Sequence, residues 1–267
     1  MLIIGERINT SRKRVAPAVE SKNENFIREE AAMQRDAGAN FIDANAGTFV
    51  TREIELLTWI VKTIQENVDM PVSIDSPNPK AIEAALKIHK GKAFINSISL
   101  EKQRYEGIIA LAREYKTNLV SLTIDETGMP ETTEKKVEIG SKLIDKLTKD
   151  GIAIDNIYLD PLVFPIGTNS NNGMATLNAM EQIKLRYPEV HLTCGASNIS
   201  FGLPFRKLIN RTFIAMAVLK GLDGAIIDPC DKELMASIIA AEALSGKDEY
   251  CANYIGAHRD GKLAVAE

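Results

Sequence analysis

The sequence predicts a parallel (β/α)8 barrel, or TIM barrel, of the α/β class. Three observations indicate this fold: there are eight short apolar runs, each is followed by an amphipathic helix pattern, and the unit recurs roughly every 30 residues. A doubly wound open sheet is the alternative, but no G-x-G-x-x-G sequence joins the first strand to a helix. Because no linker rich in Pro, Gly or Ser divides the chain, we expect one domain over residues 1–267.

Strands and helices are predicted in alternation along the chain. The apolar runs predict strands at 2–8, 40–47, 71–76, 93–99, 118–125, 156–164, 191–197 and 224–229. The amphipathic patterns predict helices at 25–38, 53–68, 79–86, 105–115, 137–147, 174–187, 205–219 and 232–245. Local signals support two of these boundaries, since Gly38 can end the first helix and Asn78 before Pro79 can begin the third. The tail beyond about residue 246 has no informative pattern.

Composition and charge exclude several classes of protein. Lys and Arg number 32 against 36 Asp and Glu, and no basic stripe occurs, so we expect no nucleic-acid partner. The three cysteines, Cys194, Cys230 and Cys251, are far apart and lack the spacing of a metal site, which fits a reducing cytosol. With no signal-peptide pattern and no apolar run of about 18 residues, a cytoplasmic protein without a membrane span is expected.

Polar residues follow the predicted strands, at the end of the barrel where active sites are built. This ring is rich in carboxylates and amides, and it contains no histidine and little positive charge. Its members are Glu6, Arg7, Asn9, Asp43, Asn45, Asp75, Asn96, Ser97, Asp125, Asp160, Ser197, Asn198 and Asp228. Such a ring argues against histidine catalysis, a zinc or iron site, and a phosphate ester as the main ligand.

An acceptor-rich ring suits a neutral heterocycle with several N–H donors, and a pterin is such a ligand. Structural roles remain open for individual residues. Asp43 and Asp228 are equally well explained as helix N-caps, and Asp125 better as part of a polar loop. Asn9 and Asn45 fit turns that need a left-handed backbone. Composition alone therefore predicts only a barrel enzyme with a polar, acidic mouth.

Seven ordered motifs make the assignment more specific. They are GERIN at 5–9, DANAG at 43–47, IDSPNPKAIEAAL at 74–86, INS at 95–97, LDPL at 159–162, GASNISFGLPFRKLINRTF at 195–213 and GLDGAIIDP at 221–229. Together they resemble the pterin-binding methyltransferases, above all the methyltetrahydrofolate:corrinoid protein methyltransferases and the folate domain of cobalamin-dependent methionine synthase. The resemblance runs from Met1 to about Tyr254.

The resemblance implies roles for particular residues. Asp75, Asn96 and Asp160 match the residues that bind the pterin. Asn198 matches an asparagine near N5 of the pterin, Gly195 and Ser197 flank it, and Arg206 matches an arginine placed toward the ligand. Glu6 and Asp43, from the ring, complete the candidate contacts. We expect Asn198 to stabilise the charge that develops at N5, with Asp75 or Asp160 in the network that supplies a proton.

The resemblance also implies a reaction and partners: a methyl group moves between N5 of methyltetrahydrofolate and the cobalt of a corrinoid. No cobalamin module is recognised, so the corrinoid is expected on a separate protein, either a corrinoid iron-sulfur protein or the corrinoid protein of a demethylase system. A homodimer is expected by analogy, and no protein-bound metal. The alternatives are an enzyme similar to dihydropteroate synthase, although its basic motifs are missing, and a non-catalytic folate-binding module.

Overall fold

In the computed structural model, which describes residues 1–263, eight parallel strands form one sheet in the order β7-β6-β5-β4-β3-β2-β1-β8. The strands are β1 (Leu2–Asn9), β2 (Phe41–Asn45), β3 (Val72–Asp75), β4 (Phe94–Ile98), β5 (Asn118–Leu122), β6 (Ile157–Asp160), β7 (His191–Leu192) and β8 (Gly224–Ile227). Neighbours in this order are consecutive in the chain except β1 and β8. This is the topology of a (β/α)8 barrel, and the predicted fold class is confirmed.

The barrel closes between β7 and β8 through few hydrogen bonds. Strand β7 is only two residues long, whereas a strand over 191–197 was predicted. Beyond it, Gly195 pairs with Ile226 in an isolated parallel bridge, and the Ile226 amide donates to the Cys194 carbonyl at 3.0 Å. The final residues of the predicted domain, 264–267, lie outside the described residues.

Helices cover the outside of the barrel. They are α1 (Val15–Glu20), α2 (Glu24–Asp36), α3 (Glu53–Asn67), α4 (Pro79–Ile88), α5 (Lys102–Tyr115), α6 (Thr133–Lys149), α7 (Asn172–Arg186), α8 (Arg206–Leu219), α9 (Lys232–Leu244) and α10 (Ala252–Arg259). Helix α4 begins as predicted, because the Asn78 side chain accepts from the Lys80 amide and Pro79 occupies the first turn. No helix in residues 1–263 is long and apolar enough to cross a bilayer.

Two short helices were missed from the sequence. Helix α1 lies in a predicted loop and α10 in the uninformative tail. Each buries few residues, and in α1 these are only Val15, Ala18 and Val19. A six-residue helix offers too few turns for a periodic apolar pattern to show.

The interior of the barrel is filled by apolar side chains below the mouth. Ile4, Phe94, Val120 and Tyr158 form a buried cluster, and Phe94 meets the Tyr158 ring edge-on with the ring centroids 4.7 Å apart. Since alternate residues of a strand face the same side, the inward positions two residues beyond Ile4, Phe94 and Tyr158 carry polar residues of the mouth. The apolar plug therefore excludes water from beneath them.

Histidines lie away from the mouth, as the sequence predicted. His191 stacks on Tyr158 at the opposite end of the barrel and hydrogen-bonds to Asp223, with its Nδ1 3.0 Å from Oδ2. The same carboxylate accepts from Lys184 Nζ at 2.9 Å and from the Leu192 amide at 2.7 Å. Burial alone would raise the pKa of Asp223, but these hydrogen bonds lower it below its usual value. The contacts stabilise the bottom of the barrel where β7 and β8 begin.

Candidate functional site

The register of β2, β3 and β4 places three polar residues in one row across the mouth. Asn45 lies opposite Asp75, and Asp75 lies opposite Asn96. Asn45 donates its Nδ2 to Asp75 Oδ2 at 2.9 Å. No described residue donates to the second oxygen, Oδ1, so Asp75 retains an acceptor for a ligand.

Asn96 is oriented from below by Asp43. The Asp43 carboxylate is 3% exposed, and its Oδ1 accepts from Ser73 Oγ at 2.7 Å and from Asn96 Nδ2 at 3.2 Å. This contact uses the amino end of the Asn96 side chain and leaves its carbonyl end as an acceptor. Asp43 therefore supports Asn96.

Several structural alternatives for the ring residues are wrong. Asp43 is not a helix N-cap, and neither is Asp228, whose place at the start of α9 is taken by Asp231. Asn9 and Asn45 do not have a left-handed backbone. The loop interpretation of Asp125 is confirmed, since it accepts from the Thr127 amide and hydroxyl in an exposed turn.

Asp160 is held at the end of β6 and is 8% exposed. Its Oδ1 accepts from the Leu162 amide at 2.8 Å, and the Gly195 amide lies near enough to the carboxylate to oppose the rise in its pKa. Burial raises the pKa of Asp160 to about 6. Asp160 and Gly195, predicted from separate motifs, are thus brought together.

Burial also governs the other acids of the mouth. It raises the pKa of Asp75 to about 6, against the hydrogen bond from Asn45. It raises the pKa of Asp43 well above its usual value, and the nearby charge of Asp75 adds to this effect. Around pH 6 Asp75 and Asp160 can therefore take up and release protons, which is the property of an acid–base network.

The predicted SN pair lies on a single 3-10 turn, Ala196–Ser200, beyond β7. The Asn198 side chain is exposed, and its Nδ2 lies beside Gly195. Arg206 supports the turn from α8, donating from Nη2 to the Ser197 carbonyl at 2.7 Å and from Nε to Ser200 Oγ at 3.0 Å. The structure thus gives Arg206 a supporting role for the turn that carries Asn198.

The expectation of little positive charge at the mouth is wrong. A cleft of about 490 Å³ beside β1 and β8 is lined by Arg7, Arg12, Arg206 and Lys207 together with acidic residues. Arg12 pairs with Glu6 at 2.9 Å, and Arg7 pairs with Asp228 at 3.0 Å. Burial raises the pKa of Glu6 despite this pairing. The ring predicted from the sequence contained only residues at the ends of strands. The segments that follow the strands supply the other cations, Arg12, Arg206 and Lys207.

Two further cavities meet at Asp75 and Asn96. One has a volume of about 920 Å³ and extends past Ser97 and Arg104. The other, of about 270 Å³, reaches Glu6 and Asp43. The predicted residues on β1 to β4 therefore share one continuous region. Within the described residues, no group of three or more His, Cys, Asp or Glu side chains is arranged to hold a metal ion.

Two charged residues near the site were missed. Arg104 on α5 donates from Nη2 to the Ser76 carbonyl at 2.9 Å, and its charge opposes the rise in the pKa of Asp75 that burial causes. Lys136 on α6 is completely buried beside the loop after β6. Arg104 lies on the helix after β4, and Lys136 lies on the helix before β6. Neither residue is part of a motif at the end of a strand.

Comparison with known proteins agrees with this geometry. The sequence model of the family described as "Pterin binding enzyme" matches residues 5–228. The chain belongs to this family. The resemblance proposed from the seven motifs is confirmed.

Relatives within the family are more specific. The chain is 38% identical to a methylcorrinoid:tetrahydrofolate methyltransferase of Eubacterium limosum, over 100% of this chain and 99% of that protein. It is 31% identical to a methionine synthase of Mycobacterium tuberculosis over 85% of this chain, and the match spans 20% of that longer protein. A methionine synthase of Mycobacterium leprae gives the same identity and coverage.

Solved structures of similar fold include dihydropteroate synthases. One from Yersinia pestis is 16% identical with a TM-score of 0.68, covering 92% of this chain and 93% of that one. One from Xanthomonas albilineans is 15% identical with a TM-score of 0.69, covering 92% of each chain. At this level of identity the likeness establishes the barrel fold alone.

The raised pKa of Asp75 predicts that this residue lowers stability. An acid whose pKa is raised by folding stabilises the folded state fully at pH values below its pKa in the unfolded state. This stabilisation is lost as the pH rises through the folded-state pKa of about 6. Asp75→Asn should therefore increase the free energy of unfolding at pH 7.5 by about 1–3 kcal/mol, with a gain that shrinks as the pH falls toward 4. Urea denaturation at several pH values measures this.

Asp125→Asn is the matched control, since Asp125 is an exposed carboxylate in a turn. It should give no gain at pH 7.5. An Asp75→Asn protein less stable than the wild type at that pH would contradict the interpretation.

Proposed function

We propose that this protein is a methyltransferase that moves a methyl group between N5 of 5-methyltetrahydrofolate and the cobalt of a corrinoid carried by a separate protein. The observation that carries the proposal is the placement of the matched residues. Acceptors lie at the ends of β3, β4 and β6, and an exposed carboxamide lies beyond β7, in a chain that matches a methyltransferase over its full length.

The acceptors of the mouth complement the edge of a pterin. A pterin presents an amino group and ring N–H groups. Asp75 has one carboxylate oxygen without a donor among residues 1–263, and Asn96 presents its carbonyl end. Asp160 accepts from the Leu162 amide and adds a third acceptor at the end of β6. N–H donors of the ligand would satisfy these acceptors, which are costly to leave unpaired in a buried site.

The carboxamide of Asn198 is suited to the reacting end of the pterin. Removal of the methyl group from N5 leaves negative charge on that nitrogen. A hydrogen-bond donor must stabilise this charge, or protonation must neutralise it. Asn198 can donate its amino group to N5 or accept from an N5–H through its carbonyl oxygen. It has no hydrogen bond with any described side chain, so it is free to turn between these states.

The proton is supplied by the network of buried acids in this proposal. Asp75 and Asp160 have pKa values of about 6, so each holds a proton part of the time near neutral pH. An amide does not titrate in this range, and Asn198 therefore serves as the group that stabilises charge. The corrinoid supplies the nucleophilic or methylated cobalt, and the protein positions the folate and manages charge at N5.

The name of one relative supports one direction of transfer and one type of partner. The Eubacterium limosum protein is named for transfer from a methylcorrinoid to tetrahydrofolate. We therefore favour the corrinoid protein of a demethylase system as the partner over a corrinoid iron-sulfur protein. All three cysteines are free, which is consistent with the proposed cytoplasmic location.

Replacement of Asn198 tests the chemical step. Asn198→Ala should lower the rate of methyl transfer at saturating folate by roughly 10² or more, because the donor at N5 is lost. Asp160→Ala should instead raise the folate dissociation constant. Stopped-flow corrinoid absorbance measures the rate, and calorimetry measures binding. Free cobalamin, a demethylase-system corrinoid protein and a corrinoid iron-sulfur protein serve as parallel acceptors.

Asn171→Ala is the control, since Asn171 is an exposed amide at the start of α7. Its rate should match the wild type. An unchanged rate for Asn198→Ala would refute the assigned role, and the absence of transfer with every corrinoid acceptor would refute the proposed function.

The proposal includes a homodimer, supported by an apolar stripe on α8. Phe205, Leu208, Met216 and Leu219 are exposed by 79%, 54%, 44% and 70%. Their spacing places them on one face of the helix. Exposed apolar patches of this kind mark interfaces, and a self-complementary contact between two copies would cover this one.

Sedimentation analysis tests the dimer. The wild type should sediment at twice the chain mass of 29.3 kDa. Leu219→Glu should shift it toward the monomer, because a carboxylate would be buried unpaired in the interface. Val50→Glu, at an equally exposed position outside the stripe, should leave the mass unchanged. A wild type that sediments at 29.3 kDa would contradict the proposal.

A further inference from the structure

A buried lysine lies beside the mouth of the barrel and has no role in the proposed function described above. Lys136 lies in the first turns of α6 and is completely buried. Its Nζ donates to the carbonyls of Pro161 and Leu162, at 2.7 and 2.8 Å, and lies 4.4 Å from the centroid of the Phe164 ring. These three residues form the loop that follows Asp160.

A neutral donor would suffice to hold this loop. Thr176 on α7 does so already, donating its hydroxyl to the Leu162 carbonyl at 2.9 Å. Burial of a lysine costs more free energy than burial of a neutral donor. An ammonium group loses its hydration on burial, and a cation is disfavoured near the N-terminus of a helix. No described carboxylate forms an ion pair with it. The charge therefore calls for an explanation beyond hydrogen bonding.

The explanation lies on the other side of the loop. The Leu162 amide donates to Asp160 Oδ1 at 2.8 Å, while the Leu162 carbonyl accepts from Lys136. One residue thus connects the lysine to the carboxylate, and Leu162 has a left-handed backbone with φ of 62°. The charges of Lys136 and Asp160 attract each other across this turn.

We propose that Lys136 is a positioning residue for the pterin site, which fixes the loop after β6 and keeps Asp160 ionised so that it can accept N–H groups of the ligand. This inference rests on the proposed function of Asp160. Two other titratable groups lie near this pair. Cys194, just beyond β7, faces Asp160, and burial raises the pKa of its thiol well above the usual value. Glu131 faces Lys136 from the loop before α6.

The proposal predicts two limbs in the pH dependence of folate binding. Burial raises the pKa of Asp160 to about 6, so affinity should fall as the pH drops below 6. Burial lowers the pKa of Lys136 to about 8, so the cation is present below that pH and is lost above it. Affinity should therefore also fall as the pH rises through 8.

Calorimetric titration with methyltetrahydrofolate from pH 5.5 to 9.5 tests this in three variants. Lys136→Met should weaken binding about tenfold at pH 7.5, raise the acid midpoint by about one unit and abolish the alkaline limb. Lys136→Arg keeps a charge that does not titrate, so the acid limb should stay and the alkaline limb should vanish. Thr176→Val removes a hydrogen bond to the same loop without changing charge, and both midpoints should stay in place.

The outcomes separate the two proposals. A Lys136→Met protein with weaker binding but unmoved midpoints would show that the lysine only holds the loop, and would overturn the inference. If Lys136→Met does not fold, the alkaline limb of the wild type, present in Thr176→Val and absent in Lys136→Arg, decides the question. Asp160→Asn serves as a fourth variant. Unchanged folate affinity in that variant would refute the pterin site itself, whereas weaker binding with no effect of Lys136 would refute this inference alone.

Discussion

The burial of carboxylates at the ends of parallel strands is the constraint on which the site depends. The aromatic plug of Phe94 and Tyr158 removes water from below, and the strand register fixes the acids in place. An ionised carboxylate in such surroundings is unstable unless donors or cations compensate it. The protein compensates these acids only in part, through hydrogen bonds from Asn45 to Asp75 and from the Leu162 amide to Asp160. The remaining demand for donors is what a pterin can satisfy.

The support around these acids is distributed over elements distant in sequence. Asp43 turns the carbonyl of Asn96 outward, Arg104 lies beside Asp75, and Lys136 lies behind Asp160. Each acts from a position the ligand need not touch. Such a second layer fixes the orientation and charge of the acids and amides at the mouth, and in the proposed function it would allow proton transfer without a histidine.

Much of this arrangement was predictable from the sequence. The eight apolar runs specify the strands because a barrel strand is buried on both faces, and their shared position at strand ends places Asp75, Asn96 and Asp160 in the ring of polar residues. Their selection from that ring as pterin-binding residues came from the resemblance to the family. The short helix α1 and the abbreviated β7 were not predictable, since neither is long enough to set a period. Arg12 and Lys136 were missed because a loop and a helix bring them to the mouth, and a single sequence does not specify which side chains outside the strands reach a strand end. Arg206 was named only through the resemblance, for the same reason.

The central claim is that the ligand supplies the donors that buried carboxylates lack, and proton release on binding tests it most directly. Calorimetry of folate binding in buffers of different ionisation enthalpy gives the number of protons exchanged. Because Asp75 and Asp160 are partly protonated near pH 6 and must ionise to accept N–H groups, binding should release about one proton at pH 6 and none at pH 7.5. Proton uptake at pH 6, or no exchange at either pH, would contradict the account.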